Sequence, residues 1–158
     1  MIYLLFKPLD IKQQEFIDVP QFEILDFVLY ELDNSSLSTV MKGSSATRFS
    51  DRYVVKQIDY TDNSREYISN MKANNGIYKN DIVDLEGEVF YVREDGLIFE
   101  SQEATYNKKT NITSTKKDFV IYRDNDKVTG TRLKYNNALN RSSAQEVRAK
   151  YQLQEEKQ

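Results

Sequence analysis

Residues 82–91, I-V-D-L-E-G-E-V-F-Y, alternate apolar and polar side chains as a half-buried β-strand requires. The residues of the apolar face are Val83, Leu85, Val89 and Tyr91. They fall on one side because successive side chains of a strand point to opposite faces. Gly87 lies inside this pattern, and a glycine within a strand indicates a β-bulge or the close approach of another backbone. We therefore predict a bulged strand with one buried face, followed by a hairpin turn at Asp95-Gly96.

Similar short segments lie on both sides of this strand, separated by turn-forming Asp, Asn, Ser and Lys residues. We predict further strands at residues 22–32, 37–41, 53–60, 65–73, 97–100, 119–122 and 128–135. Residues 22–32 are apolar on both faces, which predicts a long and largely covered strand. Residues 144–153 fit either a strand or a terminal helix, and we favour the strand. A repeat of about 10 residues per strand is typical of a sandwich, barrel or jelly roll.

The composition favours the all-β class, because its 11 Tyr and 8 Phe join many β-branched residues that pack well on a pleated surface. The chain of 158 residues fits one domain. A net charge of −3 gives no broad positive field, so nucleic acid is not an expected partner. Without Cys or His the chain has no thiolate, imidazole or usual zinc ligand. We therefore expect no catalytic residues, no metal site and no cofactor.

Several acidic pairs could serve as a general acid and base, but each also has a simpler interpretation. Glu86 with Glu88 fits a solvated strand face better than a glycosidase site. Asp124 and Asp126 resemble half of a calcium loop, but the Gly and Glu that complete such a loop are missing. We predict a turn there.

A basic cluster surrounds one apolar strand. Its members are Lys108, Lys109, Lys116 and Lys117. These lysines could meet phosphates of a lipid headgroup, or they could simply protect the edge of a sheet from unwanted pairing. The sequence favours edge protection and leaves both interpretations open.

The N-terminal residues 1–6, M-I-Y-L-L-F, form an apolar run that ends at Lys7 and Pro8. A membrane-spanning helix needs about 20 apolar residues, so this run by itself is too short. Two interpretations remain open: the end of a membrane anchor, or an edge strand of the fold.

The chain resembles the LptC family, which is related to the LptA and OstA-type β-jellyroll. The resemblance rests on ordered motifs: F-E-I-L-D-F-V-L-Y-E-L from residue 22, A-N-N-G-I-Y-K-N-D-I-V-D-L-E-G-E-V from residue 73, G-L-I-F-E-S-Q-E-A-T-Y-N from residue 96, V-T-G-T-R-L-K-Y from residue 128 and V-R-A-K-Y-Q-L from residue 147. The resemblance implies a single twisted, open β-jellyroll of antiparallel strands. It also implies a remnant of a membrane anchor and linker at residues 1–20, a periplasmic domain at 21–153 and a polar tail at 154–158.

The resemblance further implies a non-enzymatic role in lipopolysaccharide export. The domain would receive lipopolysaccharide from the ATP-driven inner-membrane complex of LptB, LptF and LptG at its N-terminal edge, and would pass it to LptA at its C-terminal edge. The expected groove lining is Val55, Val83, Leu85, Val89, Leu97, Phe99 and Ile121. The expected edge residues are Phe22, Ile24, Val28 and Tyr30 at one end, and Gly130, Val147, Ala149 and Tyr151 at the other. The principal alternative is a structural or adhesive β-domain with protein partners only.

Overall fold

The computed structural model describes residues 18–34, 36–136 and 138–152. Ten strands form one antiparallel sheet in this part of the chain. Their bounds are β1 Phe22–Asp33, β2 Ser36–Arg48, β3 Tyr53–Asp62, β4 Ser69–Lys79, β5 Ile82–Arg93, β6 Leu97–Asn107, β7 Ile112–Ser114, β8 Asp118–Arg123, β9 Asp126–Asn136 and β10 Arg141–Lys150. The all-β class and the antiparallel jellyroll-like architecture are confirmed.

The strands lie in chain order across the sheet, so nearly every connection is a hairpin. β7 and β8 together occupy one place between β6 and β9. β7 pairs with β6 and β9 near one end, whereas β8 pairs with the same two strands near the other end. Among the described strands, β1 and β10 each have one neighbour and are the two free edges.

A line of irregular backbone crosses the middle of the sheet. Positive φ angles occur within the strands at Asp26, Gln57, Gly87, Glu88, Arg132 and Glu146. The pairing of β5 with β6 shifts register between Glu86 and Val89, as a bulge requires. The bulge expected at Gly87 is therefore present, and β1, β3, β9 and β10 each carry a positive-φ residue of their own.

The bend folds the two ends of the strands towards each other. Arg65, in the loop between β3 and β4, donates a hydrogen bond of 3.3 Å to the Tyr106 hydroxyl. Tyr106 pairs with Val83, at the opposite end of the strands from that loop. The sheet therefore closes over its own inner face, with a mouth where the strand ends meet.

The bend also changes the spacing of buried residues. In β3 the buried residues Val55 and Ile58 are three apart, and in β4 Ala73 and Gly76 are three apart. Strict alternation would place the members of each pair on opposite faces. The irregular backbone geometry returns both members of each pair to the inner face. Val55, Ile58 and Ala73 there belong to one core with Leu85, and Gly76 lies against Ile58 and Leu85.

Two predictions about the strands need correction, and one strand was not predicted. β1 is a strand, but all its residues except half-buried Phe27 are exposed, because an edge strand has a neighbour on one side only. The predicted strand at residues 65–73 begins instead at Ser69. β7 has no counterpart among the predicted strands, since its three residues carry too short a pattern. The strand expected near the C-terminus is confirmed as β10.

Candidate binding groove

The deepest part of the inner face is a closed apolar cluster at the bend. Its buried members are Val55, Ile58, Ala73, Leu85, Val89 and Ala104. Leu85 and Val89 are each only 2% exposed. A side chain built on Gly43 would place its Cβ 2.7 Å from the Phe27 ring and 2.9 Å from Val55. This cluster is therefore a packed floor rather than an open channel.

Above this floor, one inward row crosses the whole sheet. In the order of strand pairing the row is Leu29, Met41, Tyr60, Met71, Tyr91, Phe99, Ile121, Val128 and Ala149. The members from Met41 to Val128 are partly exposed, and the two end members lie on the free edges. The row is thus a continuous line of partly exposed apolar side chains from β1 to β10, several of which pack against the floor; it is the candidate groove, and we call it the groove row.

The predicted lining residues all lie on strands that form this interior, but at different depths. Val55, Leu85 and Val89 are in the packed floor, and Val83 packs against it. Phe99 and Ile121 are neighbours in the groove row. Leu97 is half-buried near the mouth, opposite Arg123.

Sequence reasoning missed the part of the groove row on β2, β3 and β4. The missed residues are Met41, Tyr60 and Met71. Met41 pairs with Tyr60, Tyr60 with Met71, and Met71 with Tyr91, so their side chains lie side by side across the sheet. Burial raises the pKa of the Tyr60 phenol, and the nearby Asp62 carboxylate raises it further. Tyr60 is therefore neutral at ordinary pH and suits an apolar surface. Met71 is one of the apolar residues of β4, but the bend interrupts the alternation. The sequence pattern therefore does not predict which face of the sheet Met71 occupies.

The rim of the mouth is held by ionic contacts at the hairpin between β5 and β6. Arg93 donates two hydrogen bonds of 2.7 Å to the two carboxylate oxygens of Asp95. These bonds hold the pKa of Asp95 at about 2. Arg123 lies 3.5 Å from the same carboxylate. The Arg93–Asp95 pair, which we call the Arg93–Asp95 fork, together with Arg123 therefore links β5, the β5–β6 hairpin and β8. This end of the strands forms one lip of the mouth.

The two free edges differ in chemistry. The expected edge residues of β1, Phe22, Ile24, Val28 and Tyr30, are all exposed, as are Leu25, Leu29 and Leu32. In β10, Val147 and Ala149 are exposed among mostly polar neighbours, and Tyr151 follows the end of the strand. Gly130 needs correction, because it lies in β9, between β8 and β10, and is not at an edge. Its missing side chain leaves room for the Phe119 ring and for the Gln145 carbonyl, each of which would lie 3.0 Å from a Cβ at this position.

The predicted basic cluster separates into two places. Lys108 lies 4.8 Å from the centre of the Tyr78 ring, and Lys109 forms an ion pair of 3.6 Å with Asp81. Lys116 and Lys117 line a separate polar cleft of about 470 Å³ beside Arg132. Only the first pair lies near the mouth of the groove.

The acidic pairs have ordinary structural surroundings. Glu86 and Glu88 are exposed, and Glu88 belongs to the bulge. Asp124 is in the turn between β8 and β9, and Asp126 accepts a hydrogen bond from the Gln152 amide. Among residues 18–34, 36–136 and 138–152, no group of three potential ligands could hold a metal ion.

The described residues contain no helix of the length and apolarity that crossing a membrane requires. The expectations for residues 1–6, Leu153 and the tail at 154–158 lie outside the described residues.

Comparison with known proteins gives one family. No match was found among curated proteins. The family model described as "Lipopolysaccharide-assembly, LptC-related" matches residues 2–152, almost the entire chain of 158 residues. This match agrees with the all-β jellyroll-like sheet. The chain therefore belongs to the LptC-related family of lipopolysaccharide-assembly proteins.

Proposed function

We propose that this chain holds the acyl chains of lipopolysaccharide in the groove row and passes the lipid from one free edge of the sheet to the other. Family membership implies a role in lipopolysaccharide transport and a periplasmic domain. The observation that carries the proposal is the partly exposed apolar row that continues from β1 to β10. An acyl chain that lies on such a row removes its apolar surface from water.

The energetics of this binding are those of apolar burial. Each CH₂ group removed from water contributes about 0.8 kcal/mol. About six methylenes of an acyl chain lying along the groove row therefore contribute roughly 5 kcal/mol, before the entropy of ordering the chain is subtracted. Partial burial of several acyl chains suffices for binding and still permits release. No bond is made or broken, so the proposed role is non-enzymatic.

The two free edges of the sheet are the places where we propose that the lipid enters and leaves the domain. Each edge strand has unpaired N–H and C=O groups, which a strand of another protein can pair with. We propose that β1 joins the inner-membrane complex of LptB, LptF and LptG, and that β10 joins an LptA-like jellyroll. Such pairing would align the groove with that of each neighbour. The apolar exposure of β1 fits a permanent partner, and the polar β10 fits a partner that is exchanged.

This proposal assigns residues 21–153 as the periplasmic lipid-binding domain. Residues 1–20 then form the segment that leads from the inner membrane, and residues 154–158 form a polar tail.

The test is photocrosslinking to lipopolysaccharide in cells. A photoreactive residue at Met71 faces the groove, and the control at the next residue, Lys72, faces outwards. We expect lipid crosslinks at Met71 and none at Lys72. If a folded and assembled protein gives no crosslink at either position, the alternative of a β-domain with protein partners only is favoured instead.

A further inference from the structure

Two cationic side chains, Lys108 and Arg65, lie at the mouth of the groove, one at each of the two ends of the strands, which form its lips. Each contacts a tyrosine, and the two tyrosines belong to the same inward-facing row. Tyr78 and Tyr106 both pair with Val83, one from β4 and the other from β6. They are therefore two strand spacings apart, about 10 Å. Lys108 lies over the Tyr78 ring at 4.8 Å. Arg65 reaches Tyr106 from the other end of the strands at 3.3 Å.

Neither cation is tightly neutralised by a carboxylate. The side chain of Arg65 is 57% exposed, and its Nε is 3.9 Å from Asp62. Asp62 instead accepts two hydrogen bonds, one from the main-chain amide of Ser64 and one from the Ser64 hydroxyl. In the part of the chain that the structure describes, Lys108 forms no ion pair, since the nearby Asp81 carboxylate pairs with Lys109 and accepts from the Tyr78 hydroxyl.

The Arg93–Asp95 fork on the same rim shows the opposite arrangement. Its two bonds of 2.7 Å use both carboxylate oxygens, so this arginine serves the architecture of the hairpin. The difference matters because an arginine bonded in this way has fewer donors left for a ligand. Arg65, with its long contacts, retains donors that can point into the mouth.

The surroundings suit an anion that is attached to an apolar body. A tyrosine presents an apolar ring on one side and a polar hydroxyl on the other, which fits a boundary between a dry groove and water. A phosphate monoester carries between about −1.5 and −2 charges at neutral pH and accepts several strong hydrogen bonds. Arg and Lys are the side chains that bind such groups best, Arg through two parallel bonds and Lys as a point charge.

We propose that Arg65 and Lys108 together bind a phosphate monoester on the headgroup of the lipid whose acyl chains occupy the groove row. The inference rests on the proposed function. The phosphate lies between the two lips and replaces the contact of Arg65 with Tyr106. The phosphate then bridges the two lips in place of that direct contact.

The experiment measures binding of the purified full chain to the glycolipid part of lipopolysaccharide in detergent micelles. One sample of the glycolipid keeps its phosphates, and the other has had them removed enzymatically. The variants are Arg65→Gln, Lys108→Gln and the double variant. The matched control is Lys127→Gln, because Lys127 also lies over a tyrosine, 5.7 Å from the Tyr122 ring, on the outward face of the sheet.

We expect the wild-type chain to prefer the phosphorylated lipid. Each single variant should lose about tenfold of that preference, as expected for one charge-assisted bond, while its affinity for the dephosphorylated lipid stays unchanged. The double variant should bind both lipids equally, and Lys127→Gln should behave as wild type. Equal binding of both lipids by wild type overturns the inference but leaves the groove intact.

Three other outcomes also decide the question. If Lys127→Gln loses as much preference as the mouth variants, general surface charge is responsible and the inference fails. If Arg65→Gln and Lys108→Gln weaken the binding of inorganic phosphate but leave the lipid preference unchanged, the site belongs to free phosphate and the assignment to a lipid is wrong. If wild type binds neither lipid, the groove itself, and therefore the proposed function, is refuted.

Discussion

A charge placed in the groove row should abolish lipid binding without unfolding the protein. Ile121 and Val120 are neighbours on β8, both partly exposed, and Ile121 faces the groove whereas Val120 faces outwards. Fully burying an isoleucine contributes about 1.5 to 3 kcal/mol. Because Ile121 is only partly buried, Ile121→Asp should lower the free energy of unfolding by roughly half that amount. Val120→Asp should have a similar cost.

The two variants should differ in lipid affinity. An acyl chain that covers the new carboxylate of Ile121→Asp must displace the water that hydrates this carboxylate. Such desolvation costs several kcal/mol. A loss of about 3 kcal/mol corresponds to more than a hundredfold weaker binding. Val120→Asp adds the same charge to the outer surface and should leave binding nearly unchanged.

The assay combines displacement of a fluorescent lipopolysaccharide with urea unfolding of each variant. Equal lipid affinity of folded Ile121→Asp and wild type would refute the placement of the acyl chains in the groove row. Leu85→Asp cannot provide this test, because Leu85 is only 2% exposed. An unpaired charge there costs about as much as the whole stability of a small domain. We therefore expect that variant not to fold.

Three further predictions concern the framework of the fold. Gly87→Ala places a Cβ 2.7 Å from the Asn74 amide at a φ of +81°, so it should lower the free energy of unfolding by about 1 to 3 kcal/mol in urea titration. Thr115 is only 4% exposed, and Thr115→Val removes its hydrogen bonds with the Ser101 hydroxyl and the Lys117 main-chain amide, which should cost about 1 to 2 kcal/mol in the same assay. The stabilisation from the depressed pKa of Asp95 is present above the ordinary value of 3.8 and is lost as the pH falls towards about 2. Asp95→Asn should therefore flatten the dependence of the melting temperature on pH between these values, and an unchanged slope would contradict a role for the bond with Arg93.

The bend is the region where sequence patterns and tertiary structure can be compared most closely. The alternation in residues 82–91 predicted β5, and Gly87 predicted its bulge. In β5 the bulge leaves Leu85 and Val89 four residues apart on one face, so a simple alternating pattern gave the correct inner set. In β3 the corresponding pair, Val55 and Ile58, is three residues apart. An alternating pattern there loses the inner face halfway along the strand.

The exposure of β1 shows a different limit. Its apolar sequence predicted a covered strand, yet Leu32 is 75% exposed and Leu25 is 67% exposed. The apolar pattern indicates that the surface of β1 favours apolar contacts. It does not indicate whether those contacts lie within the chain or with another molecule. Position at the edge of the sheet, which depends on the pairing of every other strand, makes that distinction.

Local patterns thus determined the all-β class, most of the strands, the turns and the membership of a family. They did so because alternation, turn residues and composition act over a few neighbouring residues. Only the tertiary structure separated the packed floor from the groove row, placed Gly130 inside the sheet and brought Arg65 to Tyr106. Those features depend on the bend, and the bend joins residues that are far apart in the chain through backbone angles that side-chain periodicity does not encode.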